Sequence, residues 1–291
     1  MQKPLIVVSG KNGQLGWELE QLSAGYAAEF NFLFTDRELL DFSNPATIIS
    51  FFRQYRPAYF VNCAAYTAVD KAETEQELAY QVNAGSVGVL AQQCQSCHCK
   101  LITISTDYVF NGKGTAPYKT NEETEPVNYY GYTKREGEKL ALQYNDASII
   151  IRTSWVYSVH GNNFVKTMLR LMKERTELKV VDDQVGCPTY AADLAFAIIR
   201  MIVSLEKGNQ HFGIYHFSNS GNISWYTFAE TIGKMAGLHC KILPQPTAAY
   251  PTPAMRPAYS VMDLSAIQKD YGIEISNWQT SLQQCLLLLK S

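Results

Sequence analysis

No apolar run in this chain is long enough to cross a bilayer. The longest apolar tract near its end, Cys285 to Leu289, falls far short of the roughly 20 residues a helical span requires, and it reads as one face of a docking helix. A large charge imbalance is missing too. The 25 basic and 27 acidic side chains leave a net charge of −2, which argues against nucleic acid or another polyanion as partner. Seven cysteines show no disulfide-like regularity, and Met1-Gln2-Lys3-Pro4-Leu5 leads into a strand pattern instead of a signal peptide's apolar core. A cytoplasmic location is therefore expected, with no membrane partner. Low-complexity segments and internal repeats are also absent. With 291 residues the chain can bury a sizeable core, and one large domain with a smaller partner is expected.

What is present begins with Leu5-Ile6-Val7-Val8, a short, wholly apolar run suited to a parallel strand buried on both faces. Gly10, Gly13 and Gly16 follow at spacings of three and three, and Trp17 to Leu22 reads as helix. Backbone approaches a pyrophosphate closely only where side chains are absent, and a helix N-terminus offers free N–H groups. The turn, with Gly10, Asn12, Gly13, Gln14, Leu15 and Gly16, is thus the candidate nucleotide cradle; a plain tight turn is the alternative. The second strand, Phe32 to Thr35, ends at Asp36, twenty residues after Gly16. Asp36 suits a ribose 2′-hydroxyl, whereas neighbouring Arg37 suits a 2′-phosphate, so NADH and NADPH both stay open. Asp41 and Phe42 belong near the adenine, and Ser43 or Asn44 caps a helix through Ile48, Phe51 and Phe52.

A third strand, Ala58 to Ala65, runs into Tyr66 and Thr67. Its small terminal residues Ala64 and Ala65 allow close packing of backbone on cofactor. After a helix from about Gln76 to Gln93, strand Leu101 to Ser105 ends in Thr106-Asp107-Tyr108, polar residues where an open α/β sheet binds its ligands. Tyr130 and Lys134 share one face of a later helix. An ammonium there draws the phenol's pKa down from its usual ~10 toward working pH; a purely structural role is the competing reading. Cys94-Gln95-Ser96-Cys97-His98-Cys99 imitates a haem-attachment pattern. It falls where a helix gives way to the next strand, so free, partly buried thiols are expected there and neither haem nor zinc.

Gly10-x-x-Gly13-x-x-Gly16, Ser105 to Phe110 and Tyr130-x-x-x-Lys134 occur in the order and approximate spacing of extended short-chain dehydrogenase/reductases. Gly13 to Leu19, Val61 to Glu73, Arg152 to Tyr157, Gly161 to Phe164 and Tyr250 to Pro257 narrow the match. The chain resembles the dTDP-4-dehydrorhamnose reductase family over nearly its whole length. The resemblance implies an α/β, Rossmann-type doubly wound parallel sheet with a smaller substrate-binding lobe, and reduction of a nucleotide-sugar ketone by NADPH or NADH. It further implies Tyr130 as proton donor, Lys134 as its nicotinamide-ribose-binding partner and Thr106 as the hydroxyl near the substrate oxygen. Asp107, Tyr108, Trp155, Asn163 and Arg256 are the remaining substrate candidates, with Arg256 either a diphosphate contact or a brace for its loop and Trp155 either a platform for the sugar or an ordinary core aromatic.

Some members of this family hold Mg²⁺ on glutamates, one just after Pro-Thr. Here Ala192 stands in that place, so no metal is expected. Tyr66 replaces a frequent histidine, which leaves a backbone contact with cofactor intact. The expected division is 1–155 and about 178–205 for the nucleotide domain, and about 156–177 and 206–291 for the lobe. A homodimer is an open option. The rivals are an epimerase or dehydratase that recycles tightly held NAD, and a catalytically silent regulatory subunit that binds NADP.

Overall fold

Five short strands form most of the central sheet: β1 (Leu5–Ser9), β2 (Asn31–Thr35), β3 (Tyr59–Asn62), β4 (Lys100–Thr106) and β5 (Ser148–Thr153). They come from a computed structural model that describes residues 3–290; Met1, Gln2 and Ser291, at the ends of the expected domains, lie outside the described residues. All run parallel, in the order β2-β1-β3-β4-β5. Alternate side chains enter opposite layers, as the period of two requires. Ile6, Val8, Tyr59, Val61, Ile102, Ile149 and Ile151 face helices Gln14–Ser23 and Ala191–Glu206. Val7, Phe60, Leu101 and Ile150 face helices Pro45–Gln54 and Ser86–Ser96. The chain leaves β1 toward β2 and returns to β3 on the other side of β1, so a crevice opens where β1 and β3 end.

Beyond β5 the chain alternates between two bodies. Three strand pairs build the lobe: β6 (Val156–Tyr157) with β9 (Thr189–Tyr190), β7 (Glu177–Val181) with β12 (Lys241–Gln245), and β8 (Val185–Gly186) with β11 (Ile223–Ser224). Strand β7, expected in the nucleotide domain, instead buries Leu178 and Val180 against helices Phe164–Glu174, Trp225–Ala236 and Trp278–Leu288. Lys179 between two apolar residues marks it as a strand with one wet face, unlike the fully buried strands of the main sheet. Conversely β10 (Gly213–His216), expected in the lobe, pairs with β5 and becomes the sixth strand of the main sheet. Tyr215, Phe217, Ile267, Tyr271 and Ile273 pack with it against that domain's core. Among the described residues no helix is long and apolar enough to cross a membrane.

Candidate active site

A cleft of about 900 Å³ opens over the ends of β1, β3 and β4. At its floor Gly10 has φ +75°, and a Cβ there would stand 2.9 Å from the Ala64 nitrogen; one on Gly16 would stand 2.3 Å from the Gly10 carbonyl oxygen. Only glycine lets the turn fold this tightly against the β3 loop. Gly13 caps the ten-residue helix Gln14–Ser23 with no side-chain hydrogen bond, which leaves its first N–H groups for an anion. The bare cradle fits a dinucleotide pyrophosphate. Asn12, Gly13, Gln14, Leu15, Ala64, Ala65, Tyr66 and Thr67 all line the cleft, as do Asp36, Arg37, Asp41 and Phe42 at its other end.

The charges at that end are paired. Lys11 Nζ lies 2.8 Å from Asp36, whose other oxygen accepts the Glu38 and Leu39 N–H groups. The Lys11 hydrogen bond holds the Asp36 carboxyl below its ordinary range. Arg37 reaches Asp41 at 3.3 Å and the Ser43 hydroxyl at 3.2 Å. Lys11 escaped the sequence reading; a cation inside the glycine turn with an acid at the end of the next strand was the available signal.

Asn83 was also missed. It sits on a single π-helical turn, Gln81–Gly85, accepts the Tyr66 N–H at 2.9 Å and donates to the Tyr66 carbonyl at 3.0 Å and the Thr133 hydroxyl at 3.0 Å. It thereby ties the loop through Tyr66 to the helix bearing Tyr130. A polar residue between Val82 and Ala84, at a core position of the helical pattern, was its mark in the sequence.

Helix Tyr129–Tyr144 starts at Asn128, whose side chain accepts the Gly131 N–H at 2.8 Å and donates to the Met255 carbonyl at 2.7 Å. The Thr106 hydroxyl donates to Asp107 at 3.1 Å and accepts the Tyr108 N–H at 3.2 Å. Tyr108 meets Tyr130 edge-on, with centroids 5.8 Å apart. Among the described residues the buried Asp107 Oδ2 has no hydrogen-bond partner, and desolvation pushes the carboxyl up to about 6. Lys134 is buried, donates to the Ile104 carbonyl at 2.7 Å, and is pushed down to about 8 by desolvation. Tyr130 goes up to about 12, because burial outweighs its hydrogen bond with Thr106. The expected downward pull of Lys134 on the phenol is thus not the prevailing effect: the ammonium is committed to Ile104, and loss of water dominates at Tyr130.

Trp155 lines the cleft with φ +48°. It stacks on Trp225 at 3.6 Å and 12°, and Gly186 lies so near that a Cβ there would stand 2.8 Å from the indole Cε2. Two neighbours therefore already pack on the ring meant for the sugar. Trp225, absent from the sequence candidates, lines the cleft as well. Asn163 and Arg256 do not. Asn163 caps helix Phe164–Glu174 and donates to Ser158 O at 2.7 Å and Gln14 Oε1 at 3.0 Å, so its amide is occupied in joining the lobe to the glycine turn. Both guanidinium nitrogens of Arg256 grip Asp70, at 2.6 and 2.8 Å, which makes it the brace of its loop.

The place where Mg²⁺ was weighed does not fit a metal ion. Ala192 offers no ligand, Asp193 accepts from Asn219 and Ser281, and no cluster of metal-ligating residues exists among the described residues. Cys94, Cys97 and Cys99 are free, at the junction of helix Ser86–Ser96 and β4.

The family model of the RmlD substrate binding domain matches residues 3–290. A dTDP-4-dehydrorhamnose reductase of Escherichia coli is 42% identical over 290 residues, 97% of this chain and 96% of that protein. The crystal structure of a dTDP-4-dehydrorhamnose reductase from Clostridium acetobutylicum superposes with a TM-score of 0.94 at 39% identity, covering 99% of this chain and 100% of its own. That of the Bacillus anthracis reductase, in complex with NADP, gives 0.92 at 37% identity, with the same coverage.

Proposed function

The chain belongs to the dTDP-4-dehydrorhamnose reductase family, and from that membership we propose that it reduces the 4-keto group of dTDP-4-dehydro-β-L-rhamnose to give dTDP-L-rhamnose. The observation that carries the reading is the convergence of a glycine cradle, Thr106, Tyr130 and Lys134 on one cleft. NADPH or NADH, when bound, supplies the hydride. Tyr130, kept protonated by burial, donates its phenolic proton to the carbonyl oxygen so that charge does not accumulate on an alkoxide. Thr106 turns its hydroxyl from Asp107 toward the same oxygen and holds it. Lys134 would hold the bound cofactor's ribose and supplies positive charge near Tyr130. Asp107, Tyr108 and Trp155 shape the sugar end. The same reading places the enzyme in the cytoplasm and leaves a homodimer open.

The test follows NADPH and NADH absorbance with enzymatically generated sugar ketone. Wild type is expected to oxidise cofactor in step with sugar, and Tyr130→Phe to bind cofactor normally while losing at least roughly a hundredfold in turnover. Near-normal turnover would remove Tyr130 from the role of acid. No net oxidation with active sugar conversion would favour an epimerase, and no conversion by a folded, cofactor-binding protein would favour a silent subunit.

A further inference from the structure

Below the cleft, consecutive residues of β4 are tied to helix Tyr129–Tyr144. The Ile104 carbonyl takes the Lys134 ammonium, and the Ser105 hydroxyl donates to the Glu138 carboxylate. Glu138 is 4% exposed and Arg152 2%. Their contact is bidentate, Nε to Oε1 at 2.9 Å and Nη2 to Oε2 at 2.7 Å, with the guanidinium over the Phe110 ring. Behind it, His216 Nε2 lies 3.5 Å from Arg152 Nη1 and Nδ1 lies 3.2 Å from the Asp263 carbonyl. Burial and the adjacent Arg152 push His216 down to about 3, so it is neutral, donates from Nδ1 to Asp263 and accepts from Arg152 at Nε2. A polar chain thus runs from Asp263 through His216, Arg152 and Glu138 to Ser105 in the cleft wall.

A pair buried this deeply is weak as a stabilising device, since apolar residues of equal volume serve stability as well or better. Its position suggests another use. Glu138 stands one turn beyond Lys134 on the same helix face. The titratable and charged groups on the elements that meet at Lys134 are Tyr130 and Glu138 on its own helix, Cys63 after β3, Asp107 after β4, and, on β5, Arg152, which grips Glu138. Glu138 and Cys63 are the ones that favour the ammonium, and burial holds the Cys63 thiol well up, hence uncharged.

We propose that Glu138 is a positioning residue for Lys134: clamped by Arg152 and Ser105, its carboxylate keeps the ammonium charged in a site that strips it of water. The proposal rests on the role given to Lys134 above, and two measurements separate the two ideas. Lysine Cε NMR of the cofactor-free protein, with the Lys134 signal assigned through Lys134→Met, follows the ammonium itself. In Glu138→Gln, which removes the carboxylate and leaves Arg152, Lys134 is expected to titrate roughly one pH unit lower than in wild type; in the double variant Glu138→Gln/Arg152→Met, which removes both charges together, the shift runs the same way and is smaller. Glu138→Asp, which keeps the charge and draws it back, is expected to move it the same way by less, and serves if the double variant does not fold. An unchanged titration in any folded variant overturns the proposal. The alkaline limb of the kcat profile is expected to follow the titration downward; a titration that moves without the limb would sustain Glu138's role and count against Lys134's.

Discussion

Gly131 presses directly on the backbone of Tyr108: a Cβ added to the glycine would stand 2.1 Å from the Tyr108 carbonyl oxygen. The contact brings the first turn of helix Tyr129–Tyr144 against the end of β4, and so sets Tyr130 beside Thr106. Backbone cannot yield as a flexible side chain does. Gly131→Ala is expected to push the two apart, lowering kcat at least roughly tenfold and stability by about 1–3 kcal/mol. Steady-state kinetics and thermal unfolding measure both; unchanged kcat would mean that the spacing is not critical.

Asn83 serves both the N–H and the C=O of Tyr66. Asn83→Ala leaves two backbone groups partly buried without those partners, at a cost of about 1–3 kcal/mol. On the proposed reading the loosened loop faces the cofactor, so KM for NADPH should rise while KM for sugar changes little. Equal changes in both would point to general loosening.

At the end of the cleft proposed for the adenosine, Asp36 is opposed by Lys11 and Arg37 is opposed by Asp41. On the proposed reading a 2′-phosphate bound there would be repelled by the Asp36 carboxylate. Asp36→Asn removes that repulsion and frees the Lys11 ammonium, which should raise the NADPH-to-NADH ratio of kcat/KM by roughly tenfold, the equivalent of one charge interaction near a protein surface. A ratio that stays put or falls would show that Asp36 does not discriminate.

Asp107 offers a pH test. Its native pKa, about 6, lies above the ordinary carboxylate value of 3.8, so the folded state binds the proton more tightly than the unfolded one. The group is therefore neutral in its effect below pH ~4, destabilises progressively as pH rises to about 6, and exerts its full effect above that. Asp107→Asn should exceed wild type in stability by on the order of 2–3 kcal/mol at pH 8 and match it near pH 4. Denaturant unfolding at the two pH values measures the difference; an equal gain at both would deny the carboxylate its burial penalty.

The sheet strands through β5 were legible because each is a short apolar run bounded by a turn or a helical pattern. The second half was harder. Strands β7 and β10 are four or five residues long, and nothing local says which of two sheets such a strand joins; contacts of Tyr215 and Leu178 with remote helices decide that. The cleft was legible wherever backbone geometry compelled a residue type, as at Gly10 and Gly16. Asn163 and Arg256 carried the right chemistry for ligands, but partners distant in sequence, Gln14 and Asp70, already engage them. Lys11 and Asn83 also work through remote partners, Asp36 and Tyr66, so their local marks in the sequence said that they were unusual and not what they hold.

The stacked pair Trp155 and Trp225 joins the segment leaving β5 to the first turn of a lobe helix. Two indoles with centroids 3.6 Å apart couple their electronic excitations, and a skew between their transition moments is expected to give a circular-dichroism couplet that isolated tryptophans do not show. Either single Phe variant should abolish that signal, whereas Trp17 and Trp278 lie outside the pair. The protein thus contains an intrinsic optical gauge of how the lobe seats on the sheet, readable without label or cofactor.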